Sequence, residues 1–247
     1  MAKLSKLTSS KSRKSNNERS ELIKRMSRRI PPKKDNSLLG DMFLTVEGNN
    51  LIEKTGNCEI VTNRTKLENN DIFFDGLSSS IDIRDNNIFN FGAEDFTVDW
   101  WEYKLPLPEP NYDRIDFDQC TFFKSSSKNK QPILVKNEKN KTLFISSDGE
   151  YWDISNGKYM GSIEVNKWSH WAITKSSNKF YTFKNGEVKN IWDCDKPIDS
   201  SKEFFTIGKG PKRNNYYGYI KNLRIVKNIA LWSEEFSLCS EELFYKL

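Results

Sequence analysis

The chain has one histidine, His170, so any Ser-His-Asp or Cys-His arrangement has to run through it. It lies in the run WSHWAITK, where strand alternation puts Trp168, His170, Ala172 and Thr174 on one face and Ser169, Trp171, Ile173 and Lys175 on the other. Such neighbours suit a packed position, and His170 is expected to be structural. Asp116 and Asp118 would share a face in an extended chain, and two carboxylates can do acid–base work. They stand beside a proline-rich stretch, where a solvated or calcium-assisting role fits them better. Cys58, Cys120, Cys194 and Cys239 are widely spaced with no C-x-x-C pair, which argues against zinc. They are expected to be reduced thiols. No catalytic residue emerges, and no cofactor is required.

Binding chemistry is better supplied. A sugar is commonly held by an aromatic ring against its apolar face, with amides and carboxylates on its hydroxyls. Tyr151 and Trp152 beside Asp153, Trp192 beside Asp193, and Asn215 with Tyr216 in a late loop offer that combination. Calcium stays open: it needs six to eight oxygen ligands, and Asp75 and Asp148 are its first candidates, with Asp153 or the Asp193/Asp195 loop beyond them. No compact D-x-D-x-D loop is present, and Asp75, just before Gly76, equally suits bracing a turn.

Charge divides the chain. Residues 1–35 carry twelve Lys/Arg against three acids, a net of +9, within a chain of net +5. A basic arm therefore precedes a mildly acidic body. Arg13, Lys14, Arg19, Lys24, Arg25, Arg28 and Arg29 are its anchor candidates, and Leu22, Ile23, Met26 and Ile30 recur at helical spacing within 17–30. That spacing predicts a short cationic helix, ended by Pro31-Pro32. Such an arm seeks an acidic partner. Docking on a protein assembly is the leading expectation. A solvated tail without a partner is the next reading, and nucleic acid follows it, because the arm has no aromatic side chain for base stacking. No apolar run reaches the ~18 residues of a membrane span, and the N-terminus lacks the continuous apolar core of a secretory signal. Export by that route is not expected.

Residues 1–39 are thus an arm and linker, and 40–247 one body. In the body, short β-type runs are separated by Asn, Asp, Gly and Ser. Strands are expected near 59–62, 71–75, 80–84, 95–103, 119–124, 132–137, 142–146, 150–154, 168–175, 179–184, 187–192, 203–208 and 217–226. Asp148-Gly149 and Asn185-Gly186 are of the type favoured in tight hairpin turns. Residues 104–118, with three prolines, read as an extended surface loop.

Five segments appear together in an order that makes them specific: FFDGLSSSIDI (73–83), FGAEDFTVDWWEYK (91–104), NKWSHWAITKSSNKFYTFKNGE (166–187), FFTIGKG (204–210) and YYGYIKNLRIVKNIALW (216–232). The chain resembles the laminin-G-like, concanavalin A-like lectin jelly rolls. FISSDGEYWDISNGKYMG (144–161) and the closing IVKNIALWSEEF make it most similar to copies in tailed-bacteriophage virion proteins. The resemblance implies an all-β, two-sheet antiparallel jelly-roll sandwich that meets ligands at rim loops or a concave face. The E-x-D-x-x-E string of glycosidases on this fold is absent. It implies a non-enzymatic virion protein of decoration or tail type, assembled in the host cytoplasm within an oligomeric particle. The arm would hold capsid or tail proteins, and the jelly roll would face outward to host-surface glycans. A bacterial cell-surface or secreted lectin is the alternative.

Overall fold

The computed structural model describes residues 40–84, 87–107, 118–212 and 214–238. The basic arm, its expected helix and all seven anchor candidates lie outside these residues. So do Asp116, Cys239 and most of the proline-rich loop.

Sixteen strands form among the described residues, paired antiparallel throughout. In chain order they are β1 (Met42–Glu47), β2 (Asn50–Glu53), β3 (Ile60–Asn63), β4 (Lys66–Glu68), β5 (Asp71–Asp75), β6 (Ser80–Ile83), β7 (Phe96–Lys104) and β8 (Gln119–Lys124). Then come β9 (Ile133–Glu138), β10 (Lys141–Ser146), β11 (Ser155–Ser162), β12 (Trp168–Ser176), β13 (Lys179–Lys184), β14 (Glu187–Asp193), β15 (Phe205–Ile207) and β16 (Tyr217–Lys227). One sheet runs β14-β13-β12-β7-β16-β1-β2, with β5 also on β16 and β4 on β5; the other runs β11-β10-β9-β8-β15-β6-β3. The fold is the expected all-β sandwich, jelly-roll-like in its connections.

Alternation builds the interior. Along β7, Phe96, Val98 and Trp100 turn inward, and along β12 Trp171 and Ile173 do, to meet Phe122, Val135, Phe144 and Phe205 from the other sheet. Trp100 stands edge-on to Phe122 at 4.8 Å. Each such side chain contributes about 1.5–3 kcal/mol by leaving water. β16 ties the larger sheet together. It pairs β7 along one side, and on the other passes from β5 to β1 at a bulge between Lys221 and Arg224. Asn222, at φ 53°, supplies the left-handed residue there, a conformation Asn tolerates.

The outer face of the larger sheet is covered at one end of its central strands. After β16 the chain turns back, and Leu231, Trp232 and Phe236 pack on Ala172, Phe183 and Val226. Under this strap His170 is fully buried, its Nε2 3.1 Å from Asp99 Oδ2. Arg224 donates to the same carboxylate from Nε at 2.8 Å and Nη2 at 3.2 Å. The structural reading of His170 therefore stands in its packing.

Three strands, β1, β2 and β4, lie where none was expected. Their turns use left-handed Asn at Asn49, Asn69 and Asn70, so Gly48-Asn49 and Asn69-Asn70 act as hairpin corners. The strand expected at 150–154 is not formed. Asp148 Oδ1 accepts the Glu150 N–H at 3.0 Å, and Asp153 Oδ1 accepts the Asp148 N–H at 3.2 Å. These local bonds hold a loop against the sheet, and β11 begins only at Ser155. Asp148-Gly149 is accordingly not a two-residue hairpin, whereas Asn185-Gly186, at φ 54° and 83°, is one. The described cysteines, Cys58, Cys120 and Cys194, form no disulfide.

Between the sheets β7 ends on a polar patch. Glu102 accepts from Trp100 Nε1 at 3.3 Å, Thr121 at 3.3 Å and Asn137 at 2.9 Å. Lys104 points inward beside it, with no hydrogen-bond acceptor for its Nζ and the Tyr216 ring 4.5 Å away. Burial lowers the Lys104 ammonium to about 7, against a smaller opposing pull from Glu102. A base whose folded value is depressed makes the fold gain stability as pH rises from that value to its unfolded one. Between pH 7 and pH 10 the denaturant midpoint is expected to rise, by up to about 1.4 kcal/mol of stability per pH unit from this group. Lys104→Met should remove that rise; an unchanged slope in the variant would contradict the assignment.

Candidate functional site: the loop between β10 and β11

Four of the residues marked by the sequence meet in one rim loop, 147–154. Its base is fastened to two neighbouring loops. Ser147 Oγ donates to Gln131 O at 3.1 Å, the Lys130 N–H donates to Gly149 O at 3.1 Å, and the Asp199 N–H donates to Ser147 O at 3.1 Å. Gly149 is required at this junction. Its φ is 107°, and a Cβ there would meet Lys128 Cδ and Asp199 Cγ.

The charged groups of the rim are mutually held. Lys128 Nζ is 2.5 Å from Asp199 Oδ1, and Lys196 Nζ is 2.5 Å from Asp153 Oδ2. Burial raises the Asp153 carboxyl, but the Lys196 hydrogen bond and the Asp148 N–H outweigh it, so the group lies below the usual carboxylate range. Lys196 and Lys128 are each raised by the carboxylate they touch. Asn129 Nδ2 reaches Glu150 Oε2 at 3.4 Å. Above this frame the Tyr151 side chain is 72% exposed, the most exposed large hydrophobic among the described residues. Trp152 lies half-buried against Cys120, Phe123, Leu134 and Ile145 on the outer face of the smaller sheet, with Lys130 Nζ 5.6 Å above its ring. An open ring flanked by ammonium, amide and carboxylate groups can take a polyol, ring to ring and hydroxyl to polar group.

Other marked residues fall elsewhere. Trp192 is packing: it stacks on Phe180 at 5.1 Å and 13°, and its Nε1 donates to Ile154 O at 2.9 Å, supporting the loop from beneath. Tyr216 is fully buried, edge-on to Phe74 at 6.0 Å. Asn215 is buried too and donates to Leu77 O. The expectation that both are open to a ligand is therefore corrected. The chain bends at residues 208–216, where the Tyr216 N–H bonds Gly208 O at 2.9 Å, and this turns the ring inward.

Asp75, Asp148, Asp153 and Asp193 each have partners within the chain. Asp75 Oδ1 accepts the N–H groups of Leu77, Ser78 and Ser79 at 2.8–2.9 Å and the Ser79 hydroxyl at 2.8 Å. Burial raises this carboxyl, but those bonds carry it down to about 2. Asp75 braces its turn. Asp148 caps the rim loop, the Lys196 ammonium sits on Asp153, and Asp193 pairs with Lys179 at 3.3 Å. Among the described residues no three acidic, histidine or cysteine side chains cluster in a way that could hold a metal ion. Sequence reasoning missed Lys128, Lys130, Lys196 and Asp199. Sheet pairing alone brings them to the loop, and no local pattern marks them.

A family model described as the concanavalin A-like lectin/glucanases superfamily, of laminin-G type, matches residues 75–235. No curated protein matches the sequence. Among solved structures, the binding domain of Paraclostridial Mosquitocidal Protein 1 is similar at 16% identity and a TM-score of 0.62, over 85% of this chain and 52% of that one. The botulinum neurotoxin serotype D binding domain is similar at 16% identity and 0.59, over 81% and 49%. The serotype D ligand-binding domain in complex with N-acetylneuraminic acid gives 16% and 0.58, also over 81% and 49%. The chain spans about half the length of these domains. At such identity the likeness is one of fold.

Proposed function

Because the chain belongs to the concanavalin A-like lectin/glucanases superfamily through residues 75–235, we propose that it is a non-enzymatic glycan-binding module of a bacteriophage particle. Its basic arm anchors it to capsid or tail, and its 147–154 loop presents Tyr151 and Trp152 to host-surface sugars. The observation that carries the reading is the joining of an open ring, Tyr151, to a rigid frame of Asp148, Asp153, Lys130 and Lys196. Rigid framing lowers the ordering cost of binding. The sugar complex of a similar fold supports the ligand class, and the 144–161 and 225–236 segments support the phage context. The single histidine is sealed under the strap, which leaves no exposed imidazole among the described residues to act as a base.

The test is a glycan array probed with the purified chain and with Tyr151→Ala, with and without calcium. Parent binding to a defined set of glycans, lost at least tenfold in the variant and indifferent to calcium, is expected. The fold should be intact, since exposed substitutions usually stay within about 0.5 kcal/mol. Binding untouched by Tyr151→Ala overturns the rim assignment. In a phage carrying the gene, deleting residues 1–36 should abolish incorporation into particles; normal incorporation would remove the anchor.

A further inference from the structure

The chain beyond β16 returns as a strap, residues 228–238, laid on the outer face of the larger sheet without strand pairing of its own among the described residues. It is fastened at Thr97 and at Gly186. Thr97 Oγ1 accepts the Leu231 N–H at 2.9 Å and donates to Ile229 O at 3.2 Å, and the Phe236 N–H donates to Gly186 O at 2.9 Å. Between these points the Trp232 and Phe236 rings stack on each other at 4.0 Å and 9°, each edge-on to Phe183. Beneath them lies the one histidine. Around the His170 ring stand Trp101 at 5.3 Å, Trp232 at 5.9 Å and Phe236 at 6.0 Å, and the strap supplies the last two. The charged groups facing it are Asp99 of β7 and Arg224 of β16. The strap's own acids, Glu234 and Glu235, are exposed, and β13 turns Tyr181 and Phe183 to this side.

We propose that the strap is an acid-sensitive cover: a proton on His170 lifts residues 228–238 from the sheet while the sandwich beneath stays folded. The charge count gives the reason. With the strap closed, the Asp99 carboxylate and the Arg224 guanidinium balance, and a neutral imidazole keeps the group at zero net charge. An added proton leaves one uncompensated positive charge at a fully buried position, which is costly. Burial accordingly holds the His170 pKa below its ordinary value, with Asp99 restoring only part of it. Lifting the strap removes two of the three enclosing rings and admits water, so the imidazole takes its proton near pH ~6.5. Each pH unit below that point favours the lifted state about tenfold. The core need not move, because Phe96, Val98, Trp100, Trp171 and Ile173 pack on the other face of β7 and β12. Opening bares Ala172, Phe183 and Val226 together with Leu231 and Trp232 of the strap, an apolar surface presented only in acid. The 147–154 loop belongs to the smaller sheet, so the cover stands or falls apart from the glycan reading.

The experiment is amide hydrogen exchange on the full chain at pH 7.5 and pH 5.5, with rates corrected for the intrinsic effect of pH. The Leu231 and Phe236 amides should be open about tenfold more often at the lower pH. Those of Val98 and Ile173, paired in register between β7 and β12, should keep their protection. His170→Gln should hold the strap equally at both pH values. Because that variant can fail to fold, Phe236→Ala, which leaves the ion pair in place, is titrated beside the parent by NMR. The single imidazole should titrate below its ordinary range in the parent and near pH ~6.5 in the variant. Strap amides indifferent to pH overturn the proposal. So does protection lost from β7 and β12 together with the strap, which is global unfolding. A pH response that survives His170→Gln would belong to Glu234 or Glu235 and overturns it as well, as does an imidazole that titrates alike in both proteins.

Discussion

Arg224→Met is expected to lower folding stability by about 3–5 kcal/mol, the usual cost of stripping one partner from a buried ion pair. Asp99 is fully buried, and its carboxylate depends on Arg224 from two nitrogens and on His170 from a third. Burial pushes the Asp99 carboxyl up, and the Arg224 charge and then His170 more than reverse it. Without Arg224 the buried carboxylate loses its charged partner and keeps the imidazole of His170, whose ring packs against Trp101, Trp232 and Phe236. A urea midpoint shifted by less than the equivalent of about 1 kcal/mol would show that the pair contributes little. His170 sets the direction with pH. Burial lowers its pKa, and Asp99 only partly restores it, so the folded state keeps the ring neutral where the unfolded chain begins to charge it near pH ~6.5. This share of stability is complete above that pH and lost as pH falls below it; the Asp99 share follows below pH ~3.9. Between pH 7.5 and 5.5 the parent should lose stability, and His170→Gln should show a flatter dependence.

The body was legible from alternation because its strands bury one face and turn the other outward. FTVDWWEYK and WSHWAITKS announce themselves by ring spacing, and Asn185-Gly186 by its turn chemistry. Legibility failed where side chains act on their own backbone. In 147–154 the residues are strand-like in type, yet Asp148 and Asp153 tie the loop from within. It failed again where both faces are covered. β1 buries Met42 and Leu44 in the core but also Phe43 on the other face, so its sequence does not alternate. The rim was half visible: Tyr151, Trp152, Asp148 and Asp153 are neighbours in sequence, but Lys128, Lys196 and Asp199 arrive from other loops.

Tyr216 and Tyr151 put the distinction between ligand residue and core residue to the sharpest test, since composition marks both as open aromatic side chains in a loop. Tyr216→Ala should cost about 3–5 kcal/mol, the range for emptying a large buried ring's place in a packed core. The removed ring faces Phe74 and covers the Lys104 ammonium, so the variant also leaves a buried charge with less around it. Gly218, at φ 145°, lies against the Tyr216 ring and the Tyr103 carbonyl; the turn into β16 is built around that ring, and relaxation into the gap is restricted. Tyr151→Ala, at a ring 72% exposed, should change stability by less than about 0.5 kcal/mol. Thermal melts of the two variants side by side, read with their glycan binding, give opposite patterns under this structure: one unfolds earlier, the other folds and loses ligand. A Tyr216→Ala protein that melts with the parent would mean that the ring is not inside the sandwich, and the register of β16 against β5 and β7 would have to be redrawn.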